Sequence, residues 1–280
     1  MPTLRVMTYN ILYGGVGREQ LIRDVVNAVR PDIGIFTEVT DADSFECIAE
    51  AVGPYRAGRE GRHAREYPVI VSRWPIVQSA LHGPPWATRK WVEATLEPFG
   101  GSPLTVHGVH LVPQPLWPFE LWRRWEVRFL LKRLSAPTVA AHIVAGDFNA
   151  LIGRDLQRRE GAPVWVRAQS LLQGGRTPRW ALKRLTDAGY VDCYRACNAE
   201  KEGFTVPAWD PSARIDYVFA SRDLQPALRS SSTLEAIKSL DASRTAPSRS
   251  LAELLGWKAI NSLGDHASDH LPVWADFEWP

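Results

Sequence analysis

"IVAGDFNA", residues 143–150, decides how this chain is read. It begins as an apolar run suited to a buried strand, then stops on an acid, Asp147, with a carboxamide two positions later at Asn149. Side chains alternate along a strand, so the two oxygen-bearing groups leave its end on the same side. A strand that ends this way presents oxygen ligands to something.

Reading backwards and forwards from this stretch uncovers the same device several times. "LRVMTYNIL" reads as a strand ending at Asn10 before the turn "YGG". Leu21, Ile22, Val25, Val26 and Val29 then recur at helical spacing, and Pro31 closes that helix. "DIGIFTEV" is a second apolar run, ending at Glu38. If the two strands are parallel neighbours, Asn10 and Glu38 share one edge of a sheet, where ligand sites form. "PVIVS", "IVQSAL", "WVEATLEP" and "LTVHGVHL" are short strands punctuated by Pro and Gly, which predicts antiparallel meanders, and His110 ends the last. A helix is expected from about Phe119 to Leu134, after Pro118. The strand that ends at Asp147 comes next, so strand, helix and strand recur. "RIDYVFAS" and "SDHLPVWADF" supply two further strands near the C-terminus.

Asn10, Glu38, Asp147, Asn149 and Asp269 are thereby offered as oxygen donors, with His110 and His270 beside them. Carboxylate and amide oxygens suit a hard divalent cation, and Mg²⁺ is held by one or two carboxylates together with water and substrate phosphate. The remaining acids and imidazoles are left to orient water and move protons, which is equipment for metal-assisted hydrolysis of a phosphate ester. Taken singly, each has an ordinary role: an Asx turn at Asp147, a cap at Asp269, a core histidine at His110. Their order and shared placement at strand ends is what points to chemistry.

Composition bounds the rest. The 280 residues suit one large domain spanning 1–280, with ample core. Cys47, Cys193 and Cys197 match no disulfide framework and no zinc spacing; they are expected to be small core residues in a reducing compartment. The start of the chain reads as a strand rather than a leader, and no apolar run reaches the roughly 18 residues of a membrane span. A cytoplasmic protein without stable membrane insertion, acting as a monomer, is expected. The net charge is only +2, but residues 154–195 carry nine Arg or Lys against four acids. That asymmetry fits a polyanionic partner and fits solvated helix faces equally well.

"TYNI", "TEV", "SRWPI", "HLVP", "GDFNA", "RIDYVF" and "SDHLPV" occur in this order and resemble the motifs of the endonuclease/exonuclease/phosphatase superfamily, the deoxyribonuclease-I-like fold. The resemblance runs from about residue 4 to residue 277. It implies a four-layer α/β sandwich, two packed mixed β-sheets with helices outside, and the site at one edge. It further implies Glu38 as principal metal ligand with Asn10 and Asp269, Asp147 as the group that orients or deprotonates water, and Asn149 on a phosphate oxygen. His270 would contact the scissile phosphate or act in general acid–base catalysis, with Asp216 behind its ring, and His110 would be a second imidazole, a candidate acid for the leaving oxygen, oriented by Glu66. Leu12 stands where abasic-site endonucleases carry an acid, and "GDFNA" departs from the GDLNYR-type motif of inositol-polyphosphate 5-phosphatases. The implied activity is therefore a Mg²⁺-dependent phosphodiesterase, Mn²⁺ being an alternative ion, acting on nucleic acid. A phospholipid or small phosphate ester is the alternative substrate. A non-catalytic binding module is disfavoured, since no polar member of the set is lost.

Two elaborations bear on substrate. "PQPLWPFELWRRW" places Trp117, Trp122 and Trp125 beside Arg123 and Arg124. Leu121, Trp122, Trp125, Phe129 and Leu130 are expected to pack that helix on the sheet. The segment from 229 to 250 is expected to be a mobile, substrate-facing flap, followed by an amphipathic helix bearing Leu251, Leu254, Leu255 and Trp257.

Overall fold

In a computed structural model the described residues are 1–58, 67–83, 91–135, 141–153, 155, 157–158, 167–168, 171, 177–234 and 266–279. Glu66, residues 235–250 of the expected flap and the helix expected around Leu251 to Trp257 lie outside them.

Two six-stranded sheets carry the fold. The first holds β1 (Thr3–Asn10), β2 (Ile33–Thr37), β3 (Tyr55–Ala57), β4 (Val69–Ser72), β11 (Leu228–Thr233) and β12 (Val273–Glu278), in the order β11-β12-β1-β2-β4-β3. The second holds β5 (Ile76–His82), β6 (Trp91–Leu96), β7 (Leu104–His110), β8 (His142–Asp147), β9 (Val191–Asp192) and β10 (Asp216–Ala220), in the order β5-β6-β7-β8-β10-β9. Strands β1 and β2 are parallel, as are β7 and β8; the other pairings are antiparallel. The predicted meander is β5-β6-β7, whereas "PVIVS" joins the other sheet beside β2.

Alternation along the strands makes the layers. Leu4, Val6, Ile33, Ile35 and Ile70 of one sheet meet Val92, Ala94, Val106, Ile143 and Val218 of the other in a shared core. The opposite face of the first sheet, including Met7, Tyr9, Phe36 and Val71, packs on Ile22 and Val26 of α1 (Glu19–Val29) and on Phe45 and Ile48 of α2 (Ala42–Ala49). Val109, Val144, Tyr217 and Phe219 on the outer face of the second sheet meet Val127 and Leu130 of α3 (Trp117–Leu134) and Leu185 of α4 (Lys183–Asp187). The result is the four-layer α/β sandwich, helix, sheet, sheet, helix. Burying each large aliphatic or aromatic side chain in these layers contributes about 1.5–3 kcal/mol. The short α5 (Cys193–Cys197) follows β9.

Helix α3 sits in a different rotation from the one its apolar residues predicted. Its buried positions are Glu120, Arg123, Glu126, Val127, Leu130 and Leu134, while Leu121, Trp122 and Trp125 are exposed. Polar anchoring sets this phase at the N-terminal end. The Glu120 carboxylate accepts the backbone N–H groups of Trp180 and Ala181 and pairs with Arg123, whose guanidinium donates to the carbonyls of Val112 and Gln114. Two more expectations change. Of the cysteines only Cys193 is in the core, Cys47 and Cys197 being exposed. Residues 229–233 of the expected flap belong to β11, hydrogen-bonded to β12.

One glycine sets how closely β7 and β8 approach the site. Gly146, at φ +150°, lies opposite Val109, and a Cβ there would fall 1.9 Å from the Val109 carbonyl oxygen. Gly146→Ala is therefore expected to destabilise the protein by about 3 kcal/mol, at the upper end of overpacking costs. Denaturant unfolding monitored by tryptophan fluorescence measures this, and an unchanged midpoint would contradict it.

Candidate active site

Strand register assembles the site. Asn10 ends β1 opposite Thr37, the last residue of β2, so Glu38 follows directly at the same edge. His110 pairs with Asp147 at the ends of β7 and β8, and Asp216 pairs with Asp147 from the other side at the start of β10. The C-terminal motif is tied to β1 by Ser268, whose hydroxyl donates to the Asn10 carbonyl at 2.7 Å and accepts the His270 N–H at 3.3 Å.

The Oδ2 atom of Asp147 is the focus. It accepts from Asn10 Nδ2 at 3.1 Å and lies 3.6 Å from His110 Nε2 and 4.0 Å from His270 Nε2. Its other oxygen accepts the Asn149 N–H at 2.8 Å. Behind His270, the Nδ1 atom is 2.8 Å from Asp216 Oδ2. Asn10 also donates to Glu38 Oε1 at 3.1 Å, and its own oxygen accepts from Leu12 N at 3.0 Å. Glu38 Oε2 accepts from Tyr13 N at 3.1 Å. Asn149 Nδ2 donates to the Leu111 carbonyl at 3.1 Å. Leu12, Tyr13, Glu38 and Asn149 are all at positive φ although none is glycine. Backbone strain of this kind, of order 1–3 kcal/mol per residue, gathers where surrounding structure holds a side chain in a working position.

The electrostatics of the site favour a cation. Burial and the neighbouring Asp269 raise the pKa of Glu38. Burial and the facing Asp216 push Asp147 up to about 7. Burial alone would strip His270 of its proton, but the charge and hydrogen bond of Asp216, with Asp269 and Asp147, outweigh it and raise the imidazole well above its ordinary value. One Asp216 oxygen is buried without a hydrogen-bond partner. Crowded carboxylates with raised pKa values are relieved by a bound cation, so the donor set suits one. Asp147, Asp216 and His270 form one group with ligand atoms within 4.8 Å of one another. The hydrogen bond between Asp216 and His270 already occupies Asp216 Oδ2 and the inner nitrogen of His270. Glu38, joined to Asp147 through the Asn10 amide, is a further carboxylate at the site.

Beside the site opens a cleft of about 220 Å³, bounded by Asn149, Asp269 and His270 and walled by Pro115, Trp209 and Ile215 among others. It is lined mainly by apolar atoms.

Three residues have structural roles that the sequence reading did not assign. Buried Arg18 donates to the carbonyls of Ile11, Leu12 and Ala267, joining the turn after β1 to the C-terminal motif. Buried Arg214 holds Asp192 through two hydrogen bonds of 2.8 and 2.6 Å and Asp155 at 2.8 Å, two residues before Asp216. Glu120 is the third. Arg214 lies inside a motif that flagged it; nothing in the sequence around Arg18 or Glu120 did so.

The endonuclease/exonuclease/phosphatase family model matches residues 7–270. Among curated protein sequences there is no match. Solved structures share the fold. The 3′ phosphatase NExo from Neisseria, bound to a product DNA hairpin, is 18% identical with a TM-score of 0.65, the alignment covering 99% of this chain and 100% of that one. An endonuclease/exonuclease/phosphatase protein from Beutenbergia cavernae is 21% identical (TM-score 0.63, 99% of this chain and 71% of that one). An AP endonuclease from Archaeoglobus fulgidus is 16% identical (TM-score 0.64, 99% and 100%).

Proposed function

Because the chain belongs to the endonuclease/exonuclease/phosphatase family, we propose that it is a divalent-metal-dependent phosphodiesterase acting on nucleic acid, with Mg²⁺ as the working ion and Mn²⁺ able to replace it. The observation that carries this reading is the single carboxylate oxygen, Asp147 Oδ2, on which one amide and two imidazoles converge.

Glu38 and Asp269, with the Asn10 amide, would hold the cation. When bound, the ion supplies Lewis-acid polarisation of a phosphoryl oxygen. Asp147 takes a proton from the attacking water, for which a carboxylate pushed up to about 7 is well matched near neutral pH. Asn10 keeps that carboxylate aimed. His270, kept cationic by Asp216, faces a non-bridging oxygen, where negative charge concentrates as the water oxygen bonds to phosphorus. His110, beside the same carboxylate, gives a proton to the leaving oxygen as the ester P–O bond breaks. The Asn149 amide, at the mouth of the cleft, binds a phosphate oxygen.

The apolar cleft favours a substrate with a base or another apolar group next to the scissile phosphate. It also favours the second reading, a lipid phosphodiesterase. Purified protein incubated with Mg²⁺, Mn²⁺ or EDTA should hydrolyse single- or double-stranded DNA, RNA or bis-p-nitrophenyl phosphate only when metal is present. Hydrolysis of sphingomyelin alone would select the lipid reading. Failure on every ester with either metal would reject the proposed activity.

A further inference from the structure

We propose that the groove between α3 and α4 is a binding track for single-stranded nucleic acid that enters or leaves the catalytic cleft. The proposal rests on the phosphodiesterase reading for its purpose, and on the groove for its argument.

The outer face of α3 is unusual. Trp117, Leu121, Trp122 and Trp125 are each 42–53% exposed, and Trp180, carried against α3 by the Glu120 clamp, is 48% exposed. Contiguous exposed apolar groups on this scale mark interaction surfaces. Leu121 and Trp180 line an open groove of about 700 Å³, and in the same groove stand Arg124, Lys183 and Arg184, against one acid among the described residues, Asp187. Asp187 pairs with Lys183 at 2.6 Å, but both side chains are largely exposed. A surface pair of that kind is weak, so the lysine is readily recruited by a stronger anion.

Position links the groove to the site. Thr177 and Pro178 wall the catalytic cleft on one side, and Trp180, two residues on, walls the groove on the other. Arg123 of α3 reaches the cleft while Leu121 and Arg124 reach the groove. A chain leaving the cleft over this ridge runs directly into the groove.

The mixture of groups identifies the occupant. A helix built for a membrane surface separates its apolar and cationic faces and presents a flat or convex apolar side. Here cations and apolar groups alternate inside one concavity, which a bilayer does not fill. A duplex offers phosphates but hides its bases. An unpaired strand offers both at short intervals, phosphates for Arg124, Lys183 and Arg184 and a base face for Trp180.

The test is fluorescence anisotropy of a labelled single-stranded oligothymidylate with the full chain in EDTA, compared with the same sequence as duplex and with phosphatidylserine vesicles. The double variant R124E/K183E should weaken oligonucleotide binding by about tenfold or more and flatten its salt dependence. Trp180→Ala should weaken it by about fivefold or more, the low end for one lost stacking partner. Both should hydrolyse bis-p-nitrophenyl phosphate at the wild-type rate and keep the wild-type melting temperature. Unchanged oligonucleotide affinity in both variants overturns the track, and vesicle binding lost in its place would assign the groove to an anionic lipid surface. Metal-dependent cleavage with an inert groove would sink the track alone. Groove-dependent binding without hydrolysis of any diester would sink the activity alone.

Discussion

His270→Ala is expected to lower kcat by about two to three orders of magnitude, the cost of removing one donor to a developing oxyanion, and Asp216→Asn to cost less. The double variant should be little worse than His270→Ala, because Asp216 acts through the proton state of one ring and groups acting as a unit are non-additive. Asp216 Oδ2 lies 2.8 Å from His270 Nδ1. Asp216→Asn also carries a pH signature. Burial lowers the His270 pKa and Asp216 is the first influence that raises it. Without the carboxylate, burial prevails and the pKa falls. If the imidazolium is the active form, the basic limb of kcat/KM then moves to lower pH, and the acid limb, set by Asp147, moves the same way because Asp216 also raises the Asp147 pKa. Steady-state kinetics across pH on bis-p-nitrophenyl phosphate decide the matter. Multiplicative losses, or an unmoved basic limb in Asp216→Asn, would mean that Asp216 does not serve His270.

The parts of this fold that were legible in the sequence are those with a local signature. The β-branched and aromatic content of "LRVMTYN" marks a strand, and the helical spacing of Ile22, Val25, Val26 and Val29 reports which helix face is buried. Strand ends carrying Asn10, Glu38, His110 and Asp147 were likewise legible, since a polar residue closing an apolar run is visible without knowing the partner strand. Helix α3 was not. It carries apolar residues on two faces, and which one turns inward is decided by Glu120 meeting two N–H groups 60 and 61 residues away. No local pattern encodes a long-range acceptor of that kind. The same holds for Arg18, whose partners lie on both the turn after β1 and the C-terminal motif. "PVIVS" was placed with the wrong strands for a related reason: Pro75 and its neighbours announce a turn, but not that the chain crosses to the other sheet there.

Glu38→Gln is expected to abolish most activity and to remove most Mg²⁺ affinity, and the two losses should be separable from any loss of fold. The carboxylate is half-buried near Asp269, and both burial and that charge raise its pKa. Without metal, a raised carboxylate pKa means the folded state binds the proton more tightly than the unfolded chain does. Stability is then lost as pH rises from the ordinary carboxylate range through the raised value. Gln removes that electrostatic cost at neutral pH. It adds another, because Asn10 Nδ2 and Tyr13 N both donate to the two Glu38 oxygens and an amide can accept from only one of them, leaving a buried donor unmet at about 1–3 kcal/mol. The two effects oppose each other, so the metal-free melting temperature is a poor reporter of the site. The shift on adding metal is a good one. For the wild type, Mg²⁺ at about a hundred times its Kd should stabilise the fold by about 2.7 kcal/mol; the variant should show little of this at the same concentration, because it lacks the charge that balances the ion. Calorimetric titration gives the affinity directly, and turnover on bis-p-nitrophenyl phosphate should fall by at least about a hundredfold, as several kcal/mol of Lewis-acid stabilisation are lost. An undiminished Mg²⁺-induced shift in Glu38→Gln, accompanied by wild-type turnover, would move the cation to the Asp147, Asp216 and His270 group and overturn the assignment of Glu38.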